Sequence, residues 1–380
     1  MRITTCVRRL EAYVPGEQPK SKSVVKLNTN ENPYPPSPKC AEALRSFDLD
    51  RLRRYPDPNF TALREALAKL NGARPENVFV GNGSDEVLSL AARAFVENDE
   101  AIGSLDPSYS LYKTLAAIRD VKWGGFDRDR LLSAAIESGR SSKAVDGRRK
   151  LSLFLLTNPN APTGEFAEPE AIAAFARKFP GVVIVDEAYA DFARANCMGL
   201  ATRPGNRNLM VMRTFSKSYS LAGLRVGYLV GPKDLVDALY KVKDSYNVDA
   251  VAQAVALAAV KDQAWMKANV AKVVKTRAFL TEALVRRGWD VIPSESNFLF
   301  ARPPASASTQ RRNDKPVASG GKAAAAKTAA AIFEALRARN IFVRYFPGPK
   351  TGDRLRITVG TDAQVKKLLK ALDAIAGRQR

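Results

Sequence analysis

The sequence predicts an α/β protein in which a large domain, built on a mostly parallel sheet covered by helices, is joined to a smaller α+β domain. Across residues 78–231, short apolar runs typical of buried strands alternate with helical segments, as in parallel sheets. Beyond them, one long helical stretch precedes a few short strand-like runs. We expect an N-terminal arm with part of the small domain over residues 1–45. The large domain then covers 46–270 and the small domain 271–380, with a flexible loop at 303–325.

Composition narrows the classes of function. The chain has 380 residues, 46% hydrophobic and 26% charged, enough to bury one large core or two adjoining cores. No apolar run approaches the roughly 18 residues of a membrane span, and the first residues lack the apolar core of a signal peptide. Three isolated cysteines, Cys6, Cys40 and Cys197, argue against a disulfide framework. We therefore expect a cytoplasmic protein without membrane partners.

The chain contains no histidine and has a formal net charge of +21. Without histidine, Ser-His-Asp and Cys-His nucleophile pairs and His-ligated metals are excluded, and we predict no metal site. A strongly basic chain raises the possibility of nucleic-acid binding. Lysine and arginine are spread along the chain, however, and no zinc finger, RNA-binding signature or aromatic-basic repeat occurs. We expect no nucleic-acid partner and assign part of the charge to binding an anionic substrate.

The N-terminal region predicts an arm with a short helix over residues 1–25, followed by a proline-rich loop. This loop contains the run Asn-Glu-Asn-Pro-Tyr at 30–34, and its prolines forbid regular structure. Taken alone, the run is either an ordinary linker or a loop beside a site. Tyr55 follows, before an amphipathic helix predicted at 61–70.

Two strand ends in the first half of the large domain are candidate ligand sites. After a strand at 77–80, the run Gly-Asn-Gly-Ser-Asp-Glu at 81–86 opens a helix. Glycines before a helix N-terminus let backbone N–H groups close on a phosphate, although such a loop also serves as a simple capped turn. A strand at 102–105 ends near Tyr109. Two interpretations of Tyr109 are open: its ring stacks on a flat heterocycle, or it is an ordinary half-buried tyrosine at the start of a helix.

The next two strand ends carry polar residues. An apolar strand at 151–156 is followed by Asn-Pro-Asn-Ala-Pro-Thr-Gly, where two prolines stiffen a turn that can present the amide of Asn160. After a helix at 169–177, a strand at 181–185 is followed directly by Asp186. A carboxylate at the end of an apolar strand is costly unless it has a partner, such as a protonated ring nitrogen.

A single lysine, Lys217, follows a strand at 209–212 and is flanked by serines. An unhindered lysine at a strand end suits a Schiff base with an aldehyde, although a lone Ser-Lys-Ser is also typical of a surface loop. Arg225 precedes a further strand at 226–230. Ligands of parallel sheets bind at the carboxyl ends of the strands, which is where Tyr109, Asn160, Asp186 and Lys217 fall.

The remaining chain predicts the second domain. Residues 232–284 are helical, 291–300 form a strand, and a helix follows at 323–339. Two later strands each deliver one arginine, Arg344 and Arg356. Guanidinium groups suit phosphate or carboxylate, although each arginine is also compatible with a surface position.

Three of these segments, 158–164, 186–189 and 216–228, resemble the cofactor-binding segments of fold-type I aminotransferases that use pyridoxal 5'-phosphate (PLP). The resemblance covers roughly residues 24–378 with 303–330 set aside, and within the family it is strongest to histidinol-phosphate aminotransferases. It implies a seven-stranded sheet in the large domain and a homodimer.

The resemblance also implies roles for individual residues. Lys217 would carry PLP and move the substrate proton, Asp186 would pair with the ring nitrogen, and Tyr189 would donate to the ring oxygen. The other cofactor contacts would be Gly83, Ser84, Asp85, Tyr109, Asn160, Ser216, Arg225 and, from the second protomer, Tyr55. The substrate contacts would be Asn30, Asn32, Tyr34, Asn160, Arg344 and Arg356.

The implied reaction is transamination of L-histidinol phosphate with 2-oxoglutarate, giving imidazole-acetol phosphate and glutamate in histidine biosynthesis. The loop at 30–34 and Arg344 favour a phosphorylated substrate. Three alternatives stay open: an aminotransferase for aromatic amino acids, a threonine-phosphate decarboxylase, and a basic nucleic-acid-binding protein on an idle aminotransferase fold.

Overall fold

Two separate sheets and a pair of short strands organise the chain. The computed structural model describes residues 3–10, 12, 16–19, 23–128, 150–304 and 320–377. The strands are β1 (Val25–Lys26), β2 (Val78–Gly81), β3 (Ala101–Leu105), β4 (Lys122–Phe126), β5 (Leu151–Thr157), β6 (Val182–Asp186), β7 (Leu209–Thr214), β8 (Gly227–Val230), β9 (Asp290–Val291), β10 (Phe298–Arg302), β11 (Ile341–Phe342), β12 (Arg344–Tyr345) and β13 (Leu355–Thr358).

Helices cover both sheets. They are α1 (Thr5–Arg8), α2 (Pro38–Arg45), α3 (Thr61–Leu70), α4 (Ser84–Phe95), α5 (Leu111–Ile118), α6 (Pro169–Lys178), α7 (Lys233–Val242), α8 (Ala250–Val260), α9 (Gln263–Val285), α10 (Gly320–Arg337) and α11 (Asp362–Ile375). Short 3-10 turns lie at Leu49–Arg53, Pro75–Asn77, Ala190–Phe192, Met198–Leu200 and Ala222–Leu224.

The large sheet has seven strands in the order β2-β8-β7-β6-β5-β3-β4. Only β8 runs against its neighbours among the described strands, so the prediction of a mostly parallel seven-stranded sheet is confirmed. Successive residues of its central strands enter different cores: Val183 packs with one cluster and Ile184 with the other. This alternation buries the sheet on both faces, as the apolar strand sequences require.

The small domain has its own sheet and core. Its four strands are all antiparallel and follow the order β12-β13-β10-β9, while β1 pairs with β11 in parallel. Leu280 of α9, Leu299 of β10 and Leu368 of α11 lie in one buried cluster. Because the amino-terminal half of α9 packs into the large-domain core through Met266 and Val270, this helix bridges the two domains.

Some predicted elements differ from the structure. The strand predicted at 291–300 is two strands, β9 and β10, that pair antiparallel around a turn; Pro293, which lacks an N–H, lies in that turn. Of the loop predicted at 303–325, residues 305–319 lie outside the described residues. Residues 320–325 instead begin α10, since alanine favours helix. The predicted domain boundaries stay a prediction, although α2 packs against α8 of the large domain.

The described part of the chain contains no helix long and apolar enough to cross a membrane. Within the same ranges, no group of three or more acidic, cysteine or histidine side chains could hold a metal ion. Cys6, Cys40 and Cys197 are free thiols.

Candidate active site

A cavity of about 660 Å³ lies at the carboxyl edge of the large sheet, where β3, β5, β6 and β7 end. The large domain contributes Asp186 and Lys217, and the small domain contributes Arg344 and Arg356. The cavity therefore lies between the domains. Other predicted site residues that line it are Asn30, Ser84, Asp85, Tyr109, Tyr189, Ser216 and Arg225.

Lys217 occupies a tight loop that begins where β7 ends. Its Nζ donates to the carbonyl of Thr29 at 3.3 Å and lies 5.8 Å from the centre of the Tyr189 ring. The loop is fixed from the N-terminal side by Asn32, whose Nδ2 donates to the carbonyls of Lys217 and Ser218, both at 3.2 Å. Because Asn32 holds the loop through its backbone carbonyls, the position of the loop does not depend on the lysine side chain. The loop in turn places the amine in the cavity.

Asp186, the last residue of β6, is only 4% exposed. Its Oδ2 accepts from the Tyr112 hydroxyl at 2.8 Å, and its Oδ1 accepts from the Ala188 N–H at 3.0 Å. Burial raises the pKa of Asp186 to about 6, against the lowering effect of these two donors. No ion pair with a described lysine or arginine offsets this burial. The carboxylate therefore favours a proton or a cationic ligand in the cavity.

The opposite end of the cavity suits an anion. Ser84 and Asp85 begin the twelve-residue helix α4, whose first N–H groups carry the positive end of the helix dipole. Arg225 approaches the same point, with Nη1 3.5 Å from Ser216 Oγ and Nη2 3.4 Å from Asp85 Oδ2. Gly83 makes room for it: a Cβ at this residue, which has φ +82°, would lie 2.7 Å from the guanidinium.

Two tyrosines border the space between the anion end and Asp186. The Tyr109 hydroxyl donates to Asp85 Oδ1 at 3.2 Å. Tyr189 follows β6; its hydroxyl accepts from Asn30 Nδ2 at 3.0 Å, and its ring meets Phe298 edge-on at 5.1 Å between centres. Each ring is therefore held in place by another side chain, as a site for a flat ligand requires.

The two arginines of the small domain face each other across a strand pair. Arg344 of β12 is the register partner of Arg356 of β13, and both line the cavity. Arg356 donates to the carbonyl of Asn28 at 3.0 Å, and its guanidinium carbon lies 5.1 Å from the centre of the Phe346 ring. Like charges directly opposite each other destabilise a sheet, so this pair favours an anion between them.

Several residues predicted for the site do not line the cavity. Asn160 is buried, and its Nδ2 donates to the Pro107 carbonyl and to Thr163 Oγ1, both at 3.0 Å; its predicted contact with cofactor and substrate stays a prediction. The Asn160 side chain therefore stabilises the two neighbouring loops. Gly83 and Asn32 act through backbone shape and loop contacts, as described above.

Two tyrosines lie outside the cavity of their own chain. The Tyr34 ring packs under Lys272, whose Nζ is 4.9 Å from the ring centre. The predicted contact of Tyr34 with the substrate stays a prediction. Tyr55 is 79% exposed and stacks on Tyr246 at 4.4 Å between ring centres. Its predicted action in the other protomer stays a prediction.

Tyr112 and Thr157 are site residues that no motif of the sequence indicated. Besides contacting Asp186, the Tyr112 hydroxyl lies 2.6 Å from Thr157 Oγ1. The available signal in the sequence was that Tyr112 follows Tyr109 by three residues, with Tyr112 in the first turn of α5 and Tyr109 just before the helix begins.

A second missed feature is the charged network under the lysine loop. Arg213 of β7 bridges Glu187 at 2.9 Å and Asp191 at 3.2 Å. Asp191 in turn accepts from the hydroxyl of Ser218, the residue after Lys217. The network connects the strand before the lysine with the loop after it.

Known proteins resemble this chain over nearly its whole length. Residues 22–372 match the family model described as aminotransferase class I and II. Histidinol-phosphate aminotransferase 1 of Bradyrhizobium diazoefficiens is 44% identical over 370 residues, covering 96% of this chain and 97% of that protein. Histidinol-phosphate aminotransferase of Acetobacter pasteurianus is 42% identical over 370 residues, covering 96% of this chain and 95% of that protein.

Solved structures share the fold. The crystal structure of histidinol-phosphate aminotransferase from Sinorhizobium meliloti in complex with pyridoxal-5'-phosphate has a TM-score of 0.81 and 24% identity, and the match covers 99% of this chain and 98% of that chain. L-threonine-O-3-phosphate decarboxylase from Porphyromonas gingivalis has a TM-score of 0.72 and 22% identity, covering 92% and 99%. From the family match and the full-length relatives, the chain belongs to the family of class I and II aminotransferases.

Proposed function

We propose that this aminotransferase uses PLP to convert L-histidinol phosphate and 2-oxoglutarate into imidazole-acetol phosphate and glutamate. The observation that carries the proposal is one cavity in which the amine of Lys217 and the buried carboxylate of Asp186 face the arginine pair Arg344 and Arg356. The names of relatives that are 42–44% identical over nearly the whole chain supply the substrate.

The polar groups of the cavity fit both the phosphate and the ring nitrogen of PLP. The phosphate would be held at the start of α4 by Ser84, by Ser216 and by Arg225, for which Gly83 leaves room. The ring nitrogen would lie against Asp186, a buried carboxylate for which the described residues supply no cation. PLP, when bound, supplies an aldehyde that takes up amines and a protonated ring that accepts electrons.

The chain's own residues then perform three tasks. Asp186 holds the proton on the ring nitrogen, and the Tyr112 hydroxyl keeps the carboxylate oriented. Lys217 removes the proton from the substrate carbon that bears the amine and later returns it, since its Nζ is the basic group that the loop holds in the cavity. Asn30 holds the Tyr189 hydroxyl in place beside this lysine.

The arginine pair selects the substrates by charge. L-Histidinol phosphate carries a phosphate, and 2-oxoglutarate carries two carboxylates, so each brings an anion to Arg344 and Arg356. L-Phenylalanine also brings one anionic group, but its carboxylate has two oxygens and a single charge, whereas a phosphate has three free oxygens and close to two charges and so suits two guanidinium groups better. This favours the phosphorylated amine over an aromatic amino acid.

A substrate comparison tests the proposal. The PLP-loaded protein is assayed for glutamate formation from 2-oxoglutarate with L-histidinol phosphate, L-phenylalanine or L-threonine phosphate as amine, with Lys217→Ala as the inactive control. We expect kcat/KM for L-histidinol phosphate to exceed the others by about tenfold or more. A higher value for L-phenylalanine, or carbon dioxide release from L-threonine phosphate, would overturn it.

We further propose a cytoplasmic homodimer in which Tyr55 reaches the cofactor phosphate of the other protomer. Its support is a ring that is 79% exposed and lies outside the cavity of its own chain. The test mixes the inactive variant Lys217→Ala with the weakened variant Tyr55→Ala by unfolding and refolding them together. Action across the interface predicts that hybrid dimers regain activity in one site, whereas action within one chain predicts no gain.

A further inference from the structure

A second cleft, of about 980 Å³, lies behind the active site and shares no lining residue with it. One wall is the turn at 190–196, another is the face of α9 from Met266 to Arg277, and a third is the segment 293–295. The cleft thus lies between the large domain and the small domain, a common location for small-molecule sites. The proposed reaction uses none of these residues.

Arg277 differs from the other arginines of this cleft in its hydrogen-bond partners. Its Nη1 donates to two backbone carbonyls, those of Phe192 at 3.1 Å and Ser296 at 2.8 Å. No carboxylate within the described ranges pairs with it, and burial lowers the pKa of Arg277 to about 10. A guanidinium has five N–H donors, and no described residue accepts from the Nε and Nη2 of Arg277. A half-buried cation without a counter-charge is costly unless a ligand supplies one.

The acidic residues of the cleft are already engaged by other arginines. Glu165 pairs with Arg128 at 3.2 Å, and Glu295 pairs with Arg194. Asp191 belongs to the Arg213 network under the lysine loop. Of the remaining charged groups that line the cleft, Arg277 and Lys267 are both cationic. The cleft is therefore electropositive where Arg277 lies.

Apolar side chains form much of the rest of the wall. Phe166 and Phe192 approach from the large domain, and Met266, Val270 and Val274 project from α9 at helical spacing. A ligand that fits this wall carries a hydrophobic body as well as an anionic group. Inorganic ions alone would use only part of the cleft.

We propose that the cleft is a second binding site, for a small molecule that joins a carboxylate or phosphate group to an apolar body. The anion binds the Nε and Nη2 of Arg277, and the apolar body packs between Phe166 and the face of α9. The site lies back to back with the active cavity, since the turn that begins at Ala190 directly follows Tyr189. Binding there goes beyond the proposed reaction and does not depend on it.

Calorimetric titration of the PLP-loaded protein tests the site, with 1-naphthoate and phenyl phosphate as probes. Arg277→Gln removes the charge and keeps an amide donor for the two carbonyls. Ala271→Phe fills the cleft from an exposed helix position and leaves Arg277 in place. Lys275→Gln is the matched control, an exposed cation of the same helix outside the cleft. Arg356→Gln reports binding to the active cavity, and PLP content and unfolding temperature report folding.

We expect saturable binding of at least one probe that weakens about tenfold or more in both Arg277→Gln and Ala271→Phe. Binding should be unchanged in Lys275→Gln and retained in Arg356→Gln. Binding lost in Arg356→Gln and kept in Arg277→Gln would place the probes in the active cavity and overturn the proposal. The proposal would also be overturned if neither probe gave a heat of binding at concentrations up to about 10 mM. If Arg277→Gln fails to fold, Ala271→Phe alone decides between these outcomes.

Discussion

The hydroxyl of Tyr112 donates to Asp186 Oδ2 at 2.8 Å, and both side chains are buried at the floor of the active cavity. Tyr112 comes from the helix after β3, and Asp186 comes from the end of β6. The contact therefore fixes the orientation of the carboxylate from a neighbouring strand-helix unit. Because burial raises the pKa of Tyr112 well above its ordinary value, the phenol stays a donor at every working pH.

Replacing Tyr112 with phenylalanine removes one of the two donors to Asp186. We expect PLP to dissociate about tenfold more readily and kcat to fall by a similar factor, since a hydrogen bond to a charged group is worth about 1.5–3 kcal/mol. Cofactor fluorescence during dilution measures the first effect. Tyr240→Phe is the control, because it also removes a tyrosine hydroxyl but one that lies 3.5 Å from the Val78 carbonyl. Equal PLP retention in both variants would contradict a role for the contact.

The buried carboxylate of Asp186 predicts a pH-dependent stability of the cofactor-free protein. Burial raises its pKa from 3.8 to about 6, so the folded state binds more protons than the unfolded state between these values. Stability from this group is fully present below pH 3.8 and is lost as the pH rises through about 6.

Asp186→Asn should remove this loss. A pKa difference of about two corresponds to about 3 kcal/mol, so the variant should gain up to that amount relative to the parent between about pH 4 and pH 7. Urea unfolding at several pH values measures the gain. A stability difference that stays constant over this range would show that Asp186 titrates normally. The same variant should bind PLP more weakly, since it loses the charge that holds the ring proton.

The facing arginines predict separate losses of substrate affinity. Arg356→Gln and Arg344→Gln should each raise KM for L-histidinol phosphate or 2-oxoglutarate by about tenfold to a hundredfold, because each removes a charge-assisted contact. PLP content should be unchanged. Arg339→Gln is the control; this exposed arginine lies just beyond the end of α10, and its Nη1 donates to the Ala335 carbonyl. Unchanged KM values in both arginine variants would place the substrate anion elsewhere.

An ion pair at the mouth of the cavity predicts a kinetic effect without a stability effect. Lys350 of the small domain donates to the Asp106 carbonyl at 3.1 Å and to its carboxylate at 2.5 Å. The pair is exposed, so we expect Lys350→Met to change the unfolding temperature little. It should raise KM for both substrates about twofold to fivefold, and added salt should shrink the difference from the parent. A large loss of stability with unchanged KM would contradict this role.

The large sheet and the line of site residues along its edge were predictable from local patterns. Each of β3, β5, β6 and β7 is a mostly apolar run that ends in, or is followed at once by, a polar residue, and parallel strands bring such ends together. Lys217 and Asp186 could be identified for this reason.

Contacts set by side-chain rotation were not predictable in this way. The direction of the Asn160 amide depends on the Pro107 carbonyl, which approaches from a different loop. The place of Tyr34 depends on Lys272, far along the chain on α9. The contact of Tyr112 with Asp186 requires the packing of α5 on the sheet, and the strand pair that joins Arg344 to Arg356 requires the register of the small sheet.

One measurement tests the central claim most directly: the absorbance spectrum of the PLP-loaded protein during a half-reaction. L-Histidinol phosphate is added without 2-oxoglutarate, and 2-oxoglutarate is added afterwards. We predict that the band of PLP bound through Lys217 disappears with the first addition and returns with the second, and that Lys217→Ala shows neither change. A band that stays unchanged with L-histidinol phosphate but responds to L-phenylalanine or L-threonine phosphate would contradict the proposed substrate.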